Sequence, residues 1–231
     1  YGDTDSLFVA LDDGLSVADA RLEGQSLARE LNAWWDQNIA DEHRVTSCLE
    51  VEFETLFSRF LMPTLRGSEL GSKKRYAGVA AAADESEELI FKGLESVRTD
   101  WTPLARRFQR ELYARIFKDE PFEDFVRDTL EAMRDGQFDD ELIYRKRLRR
   151  NVDEYTASSP PHVQAARIAG VTRGWVRYVI TLQGPRPADQ NDSALDYEHY
   201  KTKQLAPVAD GVLRFAGTSF DMLTDKQLQI F

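Results

Sequence analysis

Residues 1–11 read Tyr-Gly-Asp-Thr-Asp-Ser-Leu-Phe-Val-Ala-Leu, a stretch that places two carboxylates directly before an apolar segment. Residues 6–11 contain no strand breaker and several apolar side chains, so they predict a β-strand. Two carboxylates held close together repel each other, and a divalent cation relieves that repulsion. Asp3 and Asp5 are therefore candidate metal ligands, of the kind used in Mg²⁺-assisted attack on a phosphate.

The Asp-x-Asp pair has other interpretations. An isolated Asp-Thr-Asp is common in solvated surface turns, and nucleotide-sugar transferases and aspartyl phosphatases also carry Asp-x-Asp near strands. Two ions about 3.5–4 Å apart need more carboxylates than this turn supplies, so a further aspartate must come from elsewhere. The three histidines, at positions 43, 162 and 199, are far apart in the sequence and give no metal-ligand spacing.

Outward from this stretch, the first ninety or so residues predict an α+β arrangement. Ser16 followed by Asp19 predicts a capped helix that continues to about residue 40. Apolar residues alternate with glutamates over 49–54, which predicts a half-exposed strand. Further strands are predicted at 60–65 and 76–83, with turns at 12–14, 66–72 and 84–88.

After Gly93 the sequence predicts mainly helices. Thr102 and Pro103 form a helix start, with the hydroxyl as cap and the proline in the first turn. The remaining predicted elements are a helix from Pro121 to about Gly136, a helix from Pro160 to about Gly170, a strand over 175–182, a polar loop over 184–194, and a final helix over 196–215 that is kinked or broken at Pro207.

Composition and charge limit the classes of protein. With 42% hydrophobic and 30% charged residues, the 231-residue chain is globular, and no apolar run approaches the roughly 20 residues of a membrane helix. A net charge of −10 disfavours a generic polyanion binder but leaves room for a local basic groove. A single cysteine, Cys48, suits a reducing cytoplasm. Because the first residue is tyrosine, the chain is expected to be processed, truncated or excised from a longer protein.

A basic tetrad, Lys73-Lys74-Arg75-Tyr76, follows a Gly/Ser-rich turn and leads into a predicted strand. On a strand, Lys74 and Tyr76 share one face. A cation beside a phenol suits a nucleic-acid backbone or minor groove. A solvated charge cluster on an edge strand accounts for the same residues.

A second basic run, Tyr-Arg-Lys-Arg-Leu-Arg-Arg over residues 144–150, carries five positive charges in seven residues. Such a density neutralises several phosphates and makes binding steeply salt-dependent. The alternatives are a solvated face or internal ion pairs with nearby acids. The nucleic-acid-binding candidates in this run are Arg145, Lys146, Arg147 and Arg149.

The sequence ends in Gln-Leu-Gln-Ile-Phe, residues 227–231. A short extended peptide with a polar start and an apolar end can dock in a hydrophobic pocket of a partner. The alternative is an amphipathic terminus that folds back on its own domain.

Several of these motifs together resemble family-B DNA polymerases. The hexapeptide YGDTDS at 1–6 is similar to the family's palm hairpin, and KKRY at 73–76 is similar to a family motif that follows the hairpin. FKGLE at 91–95 and VRTD at 97–100 resemble the palm-to-thumb segment, and PPHV at 160–163 resembles the thumb. The C-terminus resembles the Gln-Leu-x-Leu-Phe peptide that binds the bacterial sliding clamp, with Ile230 in place of a leucine.

The resemblance implies roles for individual residues. Asp5 would bind the metal ions directly, and Asp3 would be a weaker or outer ligand. Two Mg²⁺ ions are expected, in a site completed by residues outside this chain. Lys74 and Tyr76 would hold the primer strand near its growing end, and Lys73 and Arg75 would also bind DNA. Lys92 and Arg98 would lie near the duplex. The clamp would be bound by Gln227, Leu228, Ile230 and Phe231.

The resemblance also implies a domain organisation and a function. Residues 1–92 are expected to be the C-terminal part of a palm, 93–222 a mainly helical thumb, and 223–231 a clamp-binding tail. The expected function is that of a C-terminal part of a DNA-directed DNA polymerase that does not extend primers by itself. Its expected partners are primer–template DNA, deoxynucleoside triphosphates and the sliding clamp, in the nucleoid-associated cytoplasm and away from membranes. The alternatives are a non-catalytic DNA- and clamp-binding module and a separate Asp-x-Asp metal enzyme.

Overall fold

A computed structural model describes residues 2–3, 6–12, 14–63, 74–82, 86–156 and 159–225. The described residues form two compact units. The first contains those up to Met62 together with those from Lys74 to Ile90, and the second contains Pro63 and those from Phe91 onward. Within the described ranges, no helix is both long and apolar enough to cross a membrane.

The described elements confirm the α+β class that the sequence predicts. In chain order they are β1 (Gly2–Asp3), β2 (Ser6–Leu7), α1 (Val17–His43), β3 (Phe57–Leu61), β4 (Tyr76–Ala81), β5 (Glu87–Lys92), α2 (Pro103–Phe117), α3 (Glu123–Arg134), β6 (Tyr144–Leu148), α4 (Pro161–Ala169), β7 (Gly174–Thr181), β8 (Gly184–Pro187), α5 (Tyr197–Tyr200), α6 (Ala206–Leu213) and α7 (Phe220–Thr224). Three sheets contain the strands in the orders β1-β2, β3-β4-β5 and β6-β7-β8.

Helix α1 begins where the sequence predicts. The backbone N–H of Asp19 donates to the Ser16 hydroxyl oxygen, and the hydroxyl donates to the Asp19 carboxylate, with an Oγ–Oδ2 distance of 2.7 Å. This reciprocal pair satisfies a backbone donor that the first helical turn otherwise leaves unpaired. The helix ends at His43, three residues later than predicted, with Arg44 in the left-handed conformation.

The strand predicted over 49–54 is wrong. These residues have no strand assignment. The backbone of Val51 is held instead by one side chain of α1: Asn32 Nδ2 donates to the Val51 carbonyl at 2.9 Å, and the Val51 N–H donates to Asn32 Oδ1 at 2.8 Å. The amide group thus replaces a neighbouring strand, and no pattern within 49–54 reveals it.

Strands β3 and β4 pair antiparallel with an irregularity between Phe57 and Arg59. Gly78 lies opposite Phe60, and a Cβ added there would come within 2.5 Å of the Phe57 ring and 2.9 Å of the Arg59 carbonyl. A glycine at this place lets the Phe57 ring lie across the sheet. The acidic turn was predicted to extend to residue 88, but β5 already begins at Glu87.

The second unit contains most of the buried apolar side chains, and α2 lies at its centre. Thr102 caps α2 as predicted, accepting from the Ala105 N–H. The same threonine donates through its N–H and hydroxyl to the buried Gln204 side chain, at 3.1 and 3.0 Å. Phe108 of α2 is fully buried and stacks on Phe125 of α3, with ring centroids 5.4 Å apart. The Thr102–Gln204 contact joins segments 102 residues apart in sequence.

Strands β6 and β8 both pair antiparallel with β7. Two parts of this sheet differ from the prediction. Residues 184–187 form a strand rather than the start of a polar loop, and the basic run forms β6. The buried side of the sheet carries Tyr144 and Tyr178, whose rings stack with centroids 5.1 Å apart, and Tyr200 stacks on Tyr144.

The predicted final helix is continuous but contains one widened turn. Residues 201–205 are π-helical, and the N–H of Ala206 donates to the carbonyl of Lys201. Pro207 follows immediately and has no N–H to donate to the preceding turn. The wide turn therefore takes the place of the predicted kink or break.

One buried and one half-buried histidine, His162 and His199, give the second unit a predicted pH dependence. Burial lowers the pKa of His162, and the charge of Lys146 lowers it further. Burial also lowers the pKa of His199, against the opposing charge of Asp196 and together with the smaller effect of Lys203. The pKa of each histidine is lower in the folded state than in the unfolded chain, so the neutral histidines stabilise the fold. This stabilisation is fully present above about pH 6.5 and is lost as the pH falls. We expect the midpoint of thermal unfolding to decrease between pH 7.5 and pH 5.5, measured by calorimetry.

A matched pair of variants tests whether these histidines cause the pH dependence of stability. Nε2 of His199 lies 2.9 Å from the Tyr144 hydroxyl. His199→Gln therefore keeps a polar side chain as a partner for that hydroxyl but removes the titrating imidazole. His199→Gln should show a smaller decrease in the unfolding midpoint on acidification than the wild type. His43→Gln, at an exposed position on α1, should show the same decrease as the wild type. A midpoint that stays constant or rises as the pH falls would contradict the assignment.

Candidate functional site

The carboxylate motif is framed by a small hairpin. Gly2 pairs with Leu7, and Asp3 pairs with Ser6, in an antiparallel arrangement. The strand predicted over 6–11 is therefore shorter in the structure, because β2 ends at Leu7. Asp5 and Tyr1 lie outside the described residues, and only the backbone of Asp3 is described.

An aromatic cluster links this hairpin to the basic tetrad. The rings of Phe8, Phe60 and Tyr76 lie close together, with centroid distances of 5.1 Å for Phe8–Phe60, 5.3 Å for Phe8–Tyr76 and 5.1 Å for Phe60–Tyr76. Phe57 adds contacts to Phe60 and Tyr76. Phe8 follows β2 directly, so the fold brings the end of the β1–β2 hairpin close to the predicted primer-binding tyrosine.

Tyr76 is held as a neutral phenol in this cluster. Partial burial raises its pKa, and the nearby negative charge of Glu54 raises it further. A phenol that stays protonated donates one hydrogen bond and accepts others, as a contact to a sugar or phosphate requires.

The tetrad geometry differs from the strand alternation expected for it. β4 begins at Tyr76, whereas Lys74 lies in a turn with a φ of 64°. Lys74 and Tyr76 therefore do not share a face through alternation. Lys74 is exposed and Arg75 is half-buried, whereas Lys73 lies outside the described residues.

The segment over 91–100 is fixed by a buried glutamine of α2. The N–H of Ser96 donates to Gln109 Oε1 at 2.7 Å, and Gln109 Nε2 donates to the Glu95 carboxylate at 2.9 Å. Glu95 and Ser96, which form a turn after β5, are both buried, as is Gln109. Lys92, at the end of β5, is exposed beside this fixed turn.

Arg98 is already engaged by a carboxylate. It binds Asp100 through two hydrogen bonds, Nε–Oδ1 at 3.0 Å and Nη2–Oδ2 at 2.8 Å. This pair lowers the pKa of Asp100, and the charge of Lys146 lowers it further. The fold thus brings Arg98 and Lys146, from two separate predicted DNA-binding segments, to the same carboxylate.

The basic run is divided between the two faces of β6. Side chains alternate along a strand, so Arg145 and Arg147 lie on one face, and Lys146 lies on the other with the buried Tyr144 and Leu148. Arg149 is exposed beyond the strand end. The run is therefore not one continuous line of charge.

Sequence reasoning missed the residues that face this run. Register places Arg177 opposite Arg145, and Trp175 opposite Arg147. The strand containing Trp175 and Arg177 is predicted, but its partner strand is not, so no signal in the sequence connects the two segments. The predicted clamp-binding residues, Gln227, Leu228, Ile230 and Phe231, lie outside the described residues.

The predicted metal ligands fit Mg²⁺ in their donor type. Mg²⁺ takes oxygen ligands and is commonly bound through one or two carboxylates, which Asp3 and Asp5 would supply. Among the described residues, no group of three or more His, Cys, Asp or Glu side chains is arranged to hold a metal ion.

Comparison with known proteins assigns the family. Residues 1–211 match the sequence profile of DNA polymerase family B, and the chain belongs to this family. It is 49% identical over 243 residues to DNA polymerase II of Escherichia coli (strain K12), covering 100% of this chain and 31% of the relative. This similarity confirms the family resemblance that the sequence motifs predict.

More distant relatives are similar over nearly the same region. The chain is 26% identical over 235 residues to a DNA polymerase of Desulfurococcus sp. (strain Tok) and to one of Thermococcus gorgonarius. In each case 94% of this chain and 27% of the relative are covered. The chain thus spans about a third or less of the length of these curated relatives.

Proposed function

We propose that this chain is the part of a DNA-directed DNA polymerase that completes the palm and forms the thumb. Residues 1–92 are assigned to the palm, 93–222 to the thumb and 223–231 to a clamp-binding tail. The observation that carries the proposal is the aromatic contact of Phe8, which directly follows β2, with Tyr76 of the basic tetrad within one unit. Membership of the family supports it.

In this proposal the hairpin supplies carboxylates to the catalytic centre. Asp5 binds Mg²⁺ directly, Asp3 is the weaker ligand, and the remaining ligands come from residues outside the chain. When bound, Mg²⁺ supplies charge stabilisation for nucleotidyl transfer from a deoxynucleoside triphosphate. The chain's own part is to hold the carboxylates on a paired hairpin whose position is fixed by Phe8.

The basic residues hold the primer–template duplex. Lys73, Lys74 and Arg75 contact phosphates near the growing end, and Tyr76 donates its phenol hydrogen there. Lys92 lies beside the turn that Gln109 fixes, and Lys146 and Arg98 meet at Asp100. Because Asp100 partly neutralises the guanidinium of Arg98, we assign Arg98 to positioning of the duplex rather than to charge neutralisation.

Binding and extension experiments on the 231-residue chain test the proposal. We expect it to bind a primer–template duplex with a strong salt dependence and not to extend the primer, because it supplies one carboxylate motif where two-ion chemistry needs more. Replacing Lys92 by Gln should lower the slope of log Kd against log salt by about 0.9, the value for one phosphate contact on duplex DNA.

Each outcome of these experiments is informative. Lys118→Gln, at an exposed position after α2, is the matched control and should leave the slope unchanged. Absence of duplex binding would contradict the assignment of this chain to primer–template contacts. Mg²⁺-dependent primer extension by the chain would contradict the requirement for outside carboxylates. Duplex binding without extension is also the behaviour of the alternative, a non-catalytic DNA- and clamp-binding module, so the catalytic role itself depends on Asp5 in the intact polymerase.

A further inference from the structure

One face of the β6–β7 pair carries arginines around an exposed tryptophan. Arg145 lies opposite Arg177, and Arg147 lies opposite Trp175. All four side chains are exposed, whereas Val176 and Tyr178, which alternate with Trp175 and Arg177 along β7, are buried. We call these four residues the Arg–Trp face.

The indole on this face is partly exposed. The Arg145 guanidinium lies over the Trp175 ring at 4.3 Å from its centroid, close enough for a cation–π interaction. Even with this cover, 49% of Trp175 is exposed. An exposed aromatic surface of this kind can stack on another planar group.

The charges of the Arg–Trp face are not balanced by its own acids. Arg177 has one carboxylate partner, Asp189 at 3.2 Å, and that pair is largely exposed. Within the described ranges, Arg147 has no ion pair. Like charges directly opposite each other, such as Arg145 and Arg177, destabilise a sheet. In a chain whose net charge is −10, this concentration of positive charge is complementary to an anion.

We propose that the Arg–Trp face binds single-stranded DNA, with Trp175 stacking on an unpaired base and the arginines contacting the flanking phosphates. Unpaired bases offer open aromatic faces, and positively charged surfaces with exposed aromatic residues bind single strands by stacking plus phosphate contacts. Bases inside a duplex are covered by their neighbours, so the exposed indole selects for unpaired nucleotides. The proposal rests on the proposed function, to which it adds a site for the unpaired strand.

The arrangement of charge favours nucleic acid over an acidic peptide. Either ligand would attract the arginines, but the carboxylates of a peptide have no use for the indole between them. Exchange of Asp189 for a phosphate at Arg177 costs little, because exposed ion pairs contribute little to stability. Arg149 and Arg173, both exposed, lie just beyond the paired ends of β6 and β7 and continue the positive charge.

Binding of a fluorescein-labelled oligothymidylate to the 231-residue chain, followed by anisotropy, tests the proposal. We expect Trp175→Ala to weaken this binding about 5- to 150-fold, the range that corresponds to about 1–3 kcal/mol for one stacked base. Trp175→Phe should retain most of the affinity because it keeps an aromatic face. Arg147→Gln should lower the salt slope by about 0.7, the value for one phosphate contact on a single strand.

Controls separate stacking, folding and the broader function. Trp34→Ala, at an exposed position on α1, should leave oligothymidylate binding unchanged, and an unaltered unfolding midpoint of Trp175→Phe would show that the sheet is intact. Oligothymidylate binding by Trp175→Ala equal to that of the wild type overturns the proposal. So does duplex binding without oligothymidylate binding, which leaves the proposed function standing. If the wild-type chain binds neither the duplex nor the oligothymidylate, the proposed function is overturned as well. An acidic peptide that binds more tightly than the oligothymidylate, and equally well to Trp175→Ala, overturns the proposal in favour of a protein partner.

Discussion

Replacing Asp5 by Ala in the intact polymerase should abolish DNA synthesis while leaving the protein folded. The variant removes a carboxylate assigned to bind Mg²⁺ directly, and loss of several kcal/mol of transition-state stabilisation corresponds to a rate decrease on the order of 10³-fold or more. Because the substitution removes no buried side chain from the aromatic cluster, the expected change in unfolding free energy is within about 0.5 kcal/mol. Single-turnover primer extension and thermal unfolding measure the two effects.

The chain offers a matched control for this experiment. Asp12 is an exposed carboxylate seven residues further along, after the hairpin, and Asp12→Ala should have near-normal synthesis. Primer–template affinity should be retained in Asp5→Ala, because the duplex is held by the basic residues. Near-normal turnover in Asp5→Ala would refute the role assigned to Asp5. Loss of both activity and folding would indicate a structural role for this residue instead.

Asp3 should show a smaller effect than Asp5. Its backbone pairs with Ser6 in the hairpin, and the resemblance assigns it a weaker or outer position beside the metal ions. DNA synthesis by Asp5→Ala should therefore be slower than by Asp3→Ala. This order tests whether each aspartate has the role that the family resemblance implies.

Local signals predicted the ends of helices well. Ser16 and Thr102 accept hydrogen bonds from the first turns of α1 and α2, and Gly170 ends α4 in the left-handed conformation. These features depend on the chemistry of a few neighbouring residues, since a cap satisfies backbone groups within one turn. Sequence alone therefore contains the information needed to place them.

Strand partners were not predictable in the same way. The alternation over 49–54 is that of a strand, but the backbone of Val51 is bound by the side chain of Asn32. The basic run was not assigned to a strand, and it becomes β6 by pairing with β7. In both cases the decisive partner is distant in sequence, and periodicity reports which side is buried rather than which segment lies alongside.

The same distinction applies to the candidate site. The motifs and their order identified the family, because they consist of contiguous residues. Their geometry depended on tertiary contacts: Lys74 lies in a left-handed turn, Arg98 is bound by Asp100, and the positive charges of 145–147 are divided between two faces. Trp175 was not a candidate, since its proximity to Arg145 arises only from strand pairing.

Deleting residues 227–231 should abolish binding to the bacterial sliding clamp. The tail is assigned as a docking peptide, and loss of several anchor side chains that contribute about 2 kcal/mol or more each corresponds to weakening on the order of 100-fold or more. The preceding helix α7 is anchored by the buried side chains of Phe220 and Leu223, so the deletion begins beyond the last buried contact in the described range. Surface plasmon resonance with the purified clamp measures the effect.

Single substitutions within the tail distinguish docking from a structural role. Phe231→Ala and Leu228→Ala should reproduce most of the loss, because apolar side chains at these positions would fill the pocket of the clamp. Gln229→Ala is the matched control, since it occupies the variable position of the motif and should bind normally. If the tail instead folds back on its own domain, the deletion would leave clamp affinity intact and lower the unfolding midpoint. The pairing of these two measurements therefore decides between the interpretations, because a docking peptide and a folded terminus give opposite results in each.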